Sequence, residues 1–272
     1  MDTRIAYNIS ADIFEAAARS DRPRKYLGMS SVGTPCDREI WFRFRQFTPI
    51  SIDPRIIFLF RFGDKVEELV CTYLREAGYK LEGAFPEPQL AYSVLGGLHH
   101  GRSDGIIHLP EWRALLECKS ASKKKFQAFT LGGVRAVYEK YYWQAQLYMG
   151  CAGLDRALFV IVNKDDSNIH TEVMPANRAD FDAMIARVRR ITTSTTWPQI
   201  MDLPDCQYCD FRLHCKTTEG RQASHSCMTC NHLRVIPNEP AEFHCGHALH
   251  ALQIHHPDMV CPEYSWLADC PY

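Results

Sequence analysis

A chain of 272 residues, 46% apolar and 23% charged, has an ordinary globular composition and enough apolar material for one large domain, alone or with a small appendage. Its net charge of -1 excludes a global basic field, so any affinity for nucleic acid has to come from local patches. No apolar run approaches the roughly 20 residues of a membrane span, and the opening MDTRIAYNISADIF lacks the regions of a signal peptide, so a soluble, cytoplasmic protein with no membrane partner is expected.

In chain order, residues 10–20 read as a short helix with Ser10 or Asp12 near its start. A Pro/Gly/Ser-rich stretch over 21–35 leads to Cys36 and a second helix in DREIWFRFRQF. A third helix is predicted over 54–77, where Ile57, Phe60, Val66, Leu69, Val70 and Leu74 recur at near-helical spacing and Gly78 suits the end. The period changes over 79–119, where LAYSVLGG, GLHHGRSDGIIHL and RALLECK read as antiparallel strands separated by turns. Residues 134–151 return to helical spacing, 157–164 form a buried strand, NIHTEVMP a shorter one, and 177–195 an amphipathic helix. This order predicts an α/β fold with a mixed central sheet flanked by helices.

In RALLECKS, strand alternation turns Glu117 and Lys119 to one face and Leu116 and Cys118 to the other. A carboxylate at a sheet end can bind a hard divalent cation, the backbone carbonyl of Cys118 offers a further oxygen, and the ammonium can stabilise charge on a phosphate. A hairpin across 109–113 would bring Asp104 of GRSDGII to the same ion, and a cation there suits phosphodiester hydrolysis. Taken alone, the three residues fit a solvated surface hairpin equally well. Two flanking patterns weigh against that: Gly63 with Glu67 on the preceding helix, and Gln144 with Tyr148, which share a face of the following one.

G-x(3)-E, G-x-x-D, E-x-K and Q-x(3)-Y, in this order, resemble the RecB-like branch of the PD-(D/E)XK nucleases over about residues 30–216. The resemblance implies a restriction-endonuclease-like fold and Mg²⁺- or Mn²⁺-dependent exonuclease activity on DNA with single-stranded ends, in phage or CRISPR-related DNA processing or recombination. It implies Asp104 and Glu117 as metal ligands, Lys119 as the catalytic lysine, and Gln144 and Tyr148 as site-shaping or DNA-contacting residues. CRISPR-associated members usually carry His where Glu67 stands, so Glu67 is closer to the phage type. The rival reading is a non-catalytic DNA-binding or scaffold protein that keeps the fold.

Of 12 cysteines, eight fall in residues 206–270, a crowding that in a reducing compartment points to metal. Cys206, Cys209 and Cys215 form C-x2-C-x5-C, which leaves a fourth position open, with Cys36 as its natural occupant and His214 as a competitor. The arrangement resembles the iron–sulfur clamp of CRISPR-associated exonucleases and AddB-type nucleases and implies a [4Fe–4S] cluster; zinc could fill the same thiolates. Cys227, Cys230, Cys245 and Cys261 resemble a small zinc ribbon, with His232 and His247 as substitutes and Cys270 as a spare. The expected division is a nuclease domain over 1–216 and a zinc-binding tail over 217–272, the latter a structural cap or a binding site for DNA or a protein partner. Cys71, Cys118 and Cys151 read as core thiols. Lys123, Lys124 and Lys125 offer charge near the site, Tyr141, Tyr142 and Trp143 offer rings, and His99 and His100 are strand residues that can line the cleft.

Overall fold

The computed structural model describes residues 9–19, 26–48, 50, 52–216 and 226–246. In chain order these form α1 (Ile9–Arg19), β1 (Leu27–Gly28), α2 (Asp37–Phe44), α3 (Pro54–Glu76), β2 (Lys80–Glu82), β3 (Ala91–Val94), β4 (His99–Arg102), β5 (Ile106–His108), β6 (Arg113–Ala121) and α4 (Lys123–Val137). There follow α5 (Glu139–Ala152), β7 (Arg156–Asn163), β8 (Ile169–Pro175), α6 (Arg178–Thr193), the short α7 (Arg212–Lys216), β9 (Leu233–Ile236) and β10 (Glu242–Cys245). No described helix is long and apolar enough to cross a membrane.

Local chemistry explains the main boundaries. Asp53 accepts a hydrogen bond from the Arg55 amide and Pro54 takes the first position of α3, so one orphan donor is satisfied and the missing amide costs nothing. The Asn177 side chain caps α6 by accepting from the amides of Ala179 and Asp180. The α/β expectation holds, with a mixed five-stranded sheet in the order β2-β5-β6-β7-β8, in which only β6 and β7 run parallel. The group expected over 79–119 divides between two sheets, because β3 and β4 pair with each other and leave to form a second sheet with β1, in the order β1-β4-β3.

A second departure lies between 123 and 138. The lysine run is the first turn of α4, and the helical stretch expected over 134–151 is split at Tyr138 between α4 and α5. Gly132 and Gly133 hide this helix from a propensity reading. Gly133 has φ 76°, a left-handed kink that glycine adopts without steric cost, and the Glu172 carboxylate accepts from the freed Val134 amide at 2.8 Å.

The central sheet buries both faces. On one, Leu116, Cys118, Ile107 and Val160 meet Val70 and Cys71 of α3. On the other, Leu115, Phe159 and Ile161 meet Ala145, Tyr148 and Met149 of α5 with Phe129 of α4. Each large apolar side chain fully buried there contributes about 1.5–3 kcal/mol. A third cluster joins Ile40, Trp41 and Phe42 of α2, Val188 and Ile191 of α6, Trp197, Phe211, and Met228, Leu233 and Val235 of the hairpin segment. Residues 226–246 thus share a core with α2 and α6. Arg45 lies fully buried at that junction, its guanidinium over the Trp41 ring and donating to the carbonyls of Ser194 (2.7 Å) and Met228 (3.3 Å).

Candidate active site

The β5–β6 hairpin is short because Leu109 and Trp112 close its turn with a 2.8 Å backbone bond. Its ladder pairs Ile106 with Leu115, and the Leu116 amide donates to the Gly105 carbonyl. One step further the backbone partner is replaced by a side chain: the Cys118 amide donates to Asp104 Oδ2 at 2.7 Å. The strand that carries Glu117 and Lys119 therefore also fixes the Asp104 carboxylate. Lys119 Nζ stands 2.5 Å from Glu117 Oε2 and 3.7 Å from Asp104 Oδ2, with 5.2 Å to the centroid of the Tyr141 ring.

Burial decides the electrostatics. The Glu117 side chain is 1% exposed, and Asp104 and Lys119 are 14% and 13% exposed. Burial pushes the Glu117 carboxyl up to about 7, against the attraction of Lys119 and with the help of Asp104's like charge. Burial opposes the charge on Lys119, but Glu117 and Asp104 outweigh it and hold its pKa above the usual lysine range. Among the described residues Glu117 Oε1 is buried without a hydrogen-bond partner, which is costly for a carboxylate oxygen.

Glu67, on α3, reaches the site from the Asp104 side. Gln89 Nε2 donates to its Oε1 at 2.8 Å, and burial followed by the Asp104 charge pushes its carboxyl up to about 7. The Cys118 thiol turns the other way, into the α3 side of the core beside Cys71, so only the backbone of residue 118 faces the site. Tyr148 is 2% exposed beneath the hairpin, and its hydroxyl, within reach of Gln144, is raised by burial and by the Glu117 and Asp104 charges. Gln144 is half-buried. His99 does not line the cleft: it is fully buried, with its ring stacked 6.4 Å from Phe44. Gln89 and the contact of Tyr141 with Lys119 were not foreseen; Gln89 lies in a loop with no periodic pattern to mark it.

Cys36, Cys206, Cys209 and Cys215 line one cavity, together with Phe42, Phe211 and Arg38. Cys36 precedes α2 as its N-cap, and burial raises its thiol. Arg38 Nη1 lies 3.8 Å from Cys215 Sγ. In the hairpin segment, Cys227 and Cys230 flank a tight turn closed by a 3.2 Å backbone bond, and Cys245 ends β10 opposite Leu233. Cys261, Cys270 and His247 lie outside the described residues. Among the described residues, no three or more Cys, His, Asp or Glu side chains are grouped so that they could hold a metal ion as they stand.

No family model matches the chain, and no curated protein matches it. Solved structures with a similar fold include SSO0001, at 12% identity and TM-score 0.49, covering 76% of this chain and 96% of the other. An alkaline exonuclease (LHK-Exo) from Laribacter hongkongensis is 16% identical with TM-score 0.45, covering 66% and 90%. It also occurs in complex with dAMP. A phage-related exonuclease from Haemophilus somnus 129PT is 15% identical with TM-score 0.44, covering 61% and 92%. These likenesses are distant, and the chemistry of the site has to come from its own side chains.

Proposed function

We propose that the chain is a divalent-metal-dependent DNA nuclease, acting as an exonuclease on single-stranded ends. The observation that carries the reading is Lys119 held between Asp104 and Glu117 on one hairpin, with Glu67 beside Asp104. A hard cation suits this donor set: Glu117 Oε1 has no hydrogen-bond partner among the described residues, and burial, with the Asp104 charge adding to it, pushes the Glu67 and Glu117 carboxyls up. Asp104, Glu117 and Glu67 would hold Mg²⁺ or Mn²⁺, whose chemistry is to polarise a phosphoryl oxygen and acidify water. The Cys118 amide fixes the orientation of Asp104 before substrate arrives, which removes reorganisation from the reaction. Lys119 brings an ammonium to the same edge, aimed at charge that develops on the phosphate. Tyr141 limits where that ammonium can move. The four thiols around the Cys36 cavity are the soft donor set of an iron–sulfur cluster, and Cys227, Cys230 and Cys245 with Cys261 that of zinc.

The test is cleavage of end-labelled single- and double-stranded DNA by protein purified anaerobically, with Mg²⁺, with Mn²⁺ and with a chelator. Asp104→Asn and Lys119→Met are each expected to lower the rate by at least about a hundredfold in a chain that stays folded by circular dichroism, and iron and zinc contents read the two thiol sets. Undiminished cleavage by either variant would remove the proposed centre. A wild-type chain inactive with both metals would favour the non-catalytic scaffold.

A further inference from the structure

Glu67 comes to the site on α3, and a loop holds it there. Among the described residues, the one hydrogen bond to its carboxylate runs from Gln89 Nε2 to Oε1, at 2.8 Å. Lys119, the cation of the site, is engaged by Glu117 at 2.5 Å and Asp104 at 3.7 Å instead.

The loop between β2 and β3 that carries Gln89 is fastened at both ends. About two turns beyond Glu67 on the same helix, Arg75 donates to the carbonyls of Ala84 (3.1 Å) and Phe85 and to Glu87 Oε1 (3.2 Å). Glu87 accepts in turn from the Gly83 amide at 3.3 Å, and its own amide donates to the Ala84 carbonyl at 2.9 Å. At the far end, the Leu90 carbonyl accepts from the Ser103 amide at 3.2 Å, next to Asp104. Ala84 is fully buried against Gly105, where a Cβ would sit 2.6 Å from the Ala84 Cβ. Gln89 therefore stands between the helix that supplies Glu67 and the strand joint that supplies Asp104, in a loop set by both.

The chemistry of the donor matters. A carboxylate that serves a metal is oriented by a hydrogen bond to one part of it. A lysine or arginine in this place would bring a positive charge that repels the cation. A neutral amide orients the carboxylate and adds no net charge.

We propose that Gln89 is the positioning residue for Glu67: its amide holds Oε1, so that the carboxylate is set for the divalent cation that Asp104 and Glu117 also serve. The inference rests on the nuclease reading, which supplies the cation, but its test does not need cleavage. Mn²⁺ binding to the anaerobically purified chain, without DNA, is measured from the paramagnetic resonance signal of the free ion. The wild type is expected to show a site that Asp104→Asn removes. Gln89→Met, which keeps the length of the side chain without a donor, is expected to weaken that site by about 10–100-fold. Gln89→Asn, which keeps an amide but withdraws it by about 1.5 Å, is expected to do the same, with both chains folded by circular dichroism. In Glu67→Gln, whose remaining ligands bind Mn²⁺ more weakly, adding Gln89→Met is expected to change nothing further. Wild-type affinity in both Gln89 variants, unfolding of both, or the same fold-loss in the Glu67→Gln background, while Asp104→Asn still removes the site, would each overturn the proposal and leave the metal centre standing. A wild-type chain with no Mn²⁺ site that Asp104→Asn removes would overturn the nuclease reading and the proposal with it.

Discussion

His99 shows what burial does to a single side chain. It has no exposure, and neither ring nitrogen finds a hydrogen-bond partner among the described residues. Burial first, and the neighbouring His100 second, lower its pKa to about 3. Between that value and the ordinary histidine value of about 6.5, the unfolded chain takes up a proton that the folded chain refuses. Stability is therefore fully present above that window and falls as pH drops through it, by at most about 1.4 kcal/mol per pH unit from this group. His99→Phe is expected to flatten the fall. Urea midpoints of wild type and variant between pH 7.5 and 5 (about the upper part of the window) test this, and parallel curves would rule it out. Cys151 answers to the same physics: burial pushes its thiol up to about 11, which leaves little thiolate at neutral pH.

At the scale of elements, one arginine ties α6 to the segment that delivers Cys36. Arg187 donates from Nε to Asp37 (2.8 Å), from Nη1 to the Val32 carbonyl (3.0 Å) and from Nη2 to the Thr34 carbonyl (2.7 Å). Arg190 grips the second oxygen of Asp37 at 2.6 Å. Both bonds hold the Asp37 carboxyl below the usual carboxylate range, against the effect of its burial. Arg187→Met keeps the aliphatic stem and leaves the carbonyls of Val32, Thr34 and Pro35 and a half-buried carboxylate short of donors. The expected cost is about 2–4 kcal/mol in chemical denaturation, well above the effect of a surface ion pair. A change within about 0.5 kcal/mol would mean that α6 does not hold this segment.

At the scale of the whole molecule, the hairpin segment and the α2–α6 cluster make one core, and a single glycine sets their approach. Gly96 has φ 67°, its carbonyl accepts from the Ala241 amide at 2.8 Å, and its amide donates to Glu239. A Cβ there would sit 1.7 Å from the Asn238 carbonyl oxygen, so alanine meets both a left-handed backbone and a clash with main chain. Gly96→Ala is expected to destabilise the protein by about 3 kcal/mol or more in one cooperative transition. If the melt instead separated into two steps with the larger unchanged, the shared core would not couple the hairpin to the rest.

The alternation in RALLECKS was enough to place Glu117 and Lys119 on one face, because a strand's period is local. The α/β order and the ranges of α3 and α6 were legible for the same reason: caps and apolar spacing act within a few residues. What local patterns do not contain is which elements meet. Tertiary structure decided that Asp104 replaces a backbone acceptor opposite Cys118, that β3 and β4 leave the central sheet, and that four thiols up to 179 residues apart in sequence share one cavity. It also turned His99 into the core, and it found a helix behind Gly132 and Gly133. The hairpin over which this chain's chemistry is proposed was readable residue by residue. The burial that perturbs its charges was not, since desolvation depends on neighbours from α3 and α5 that only the folded chain brings to it.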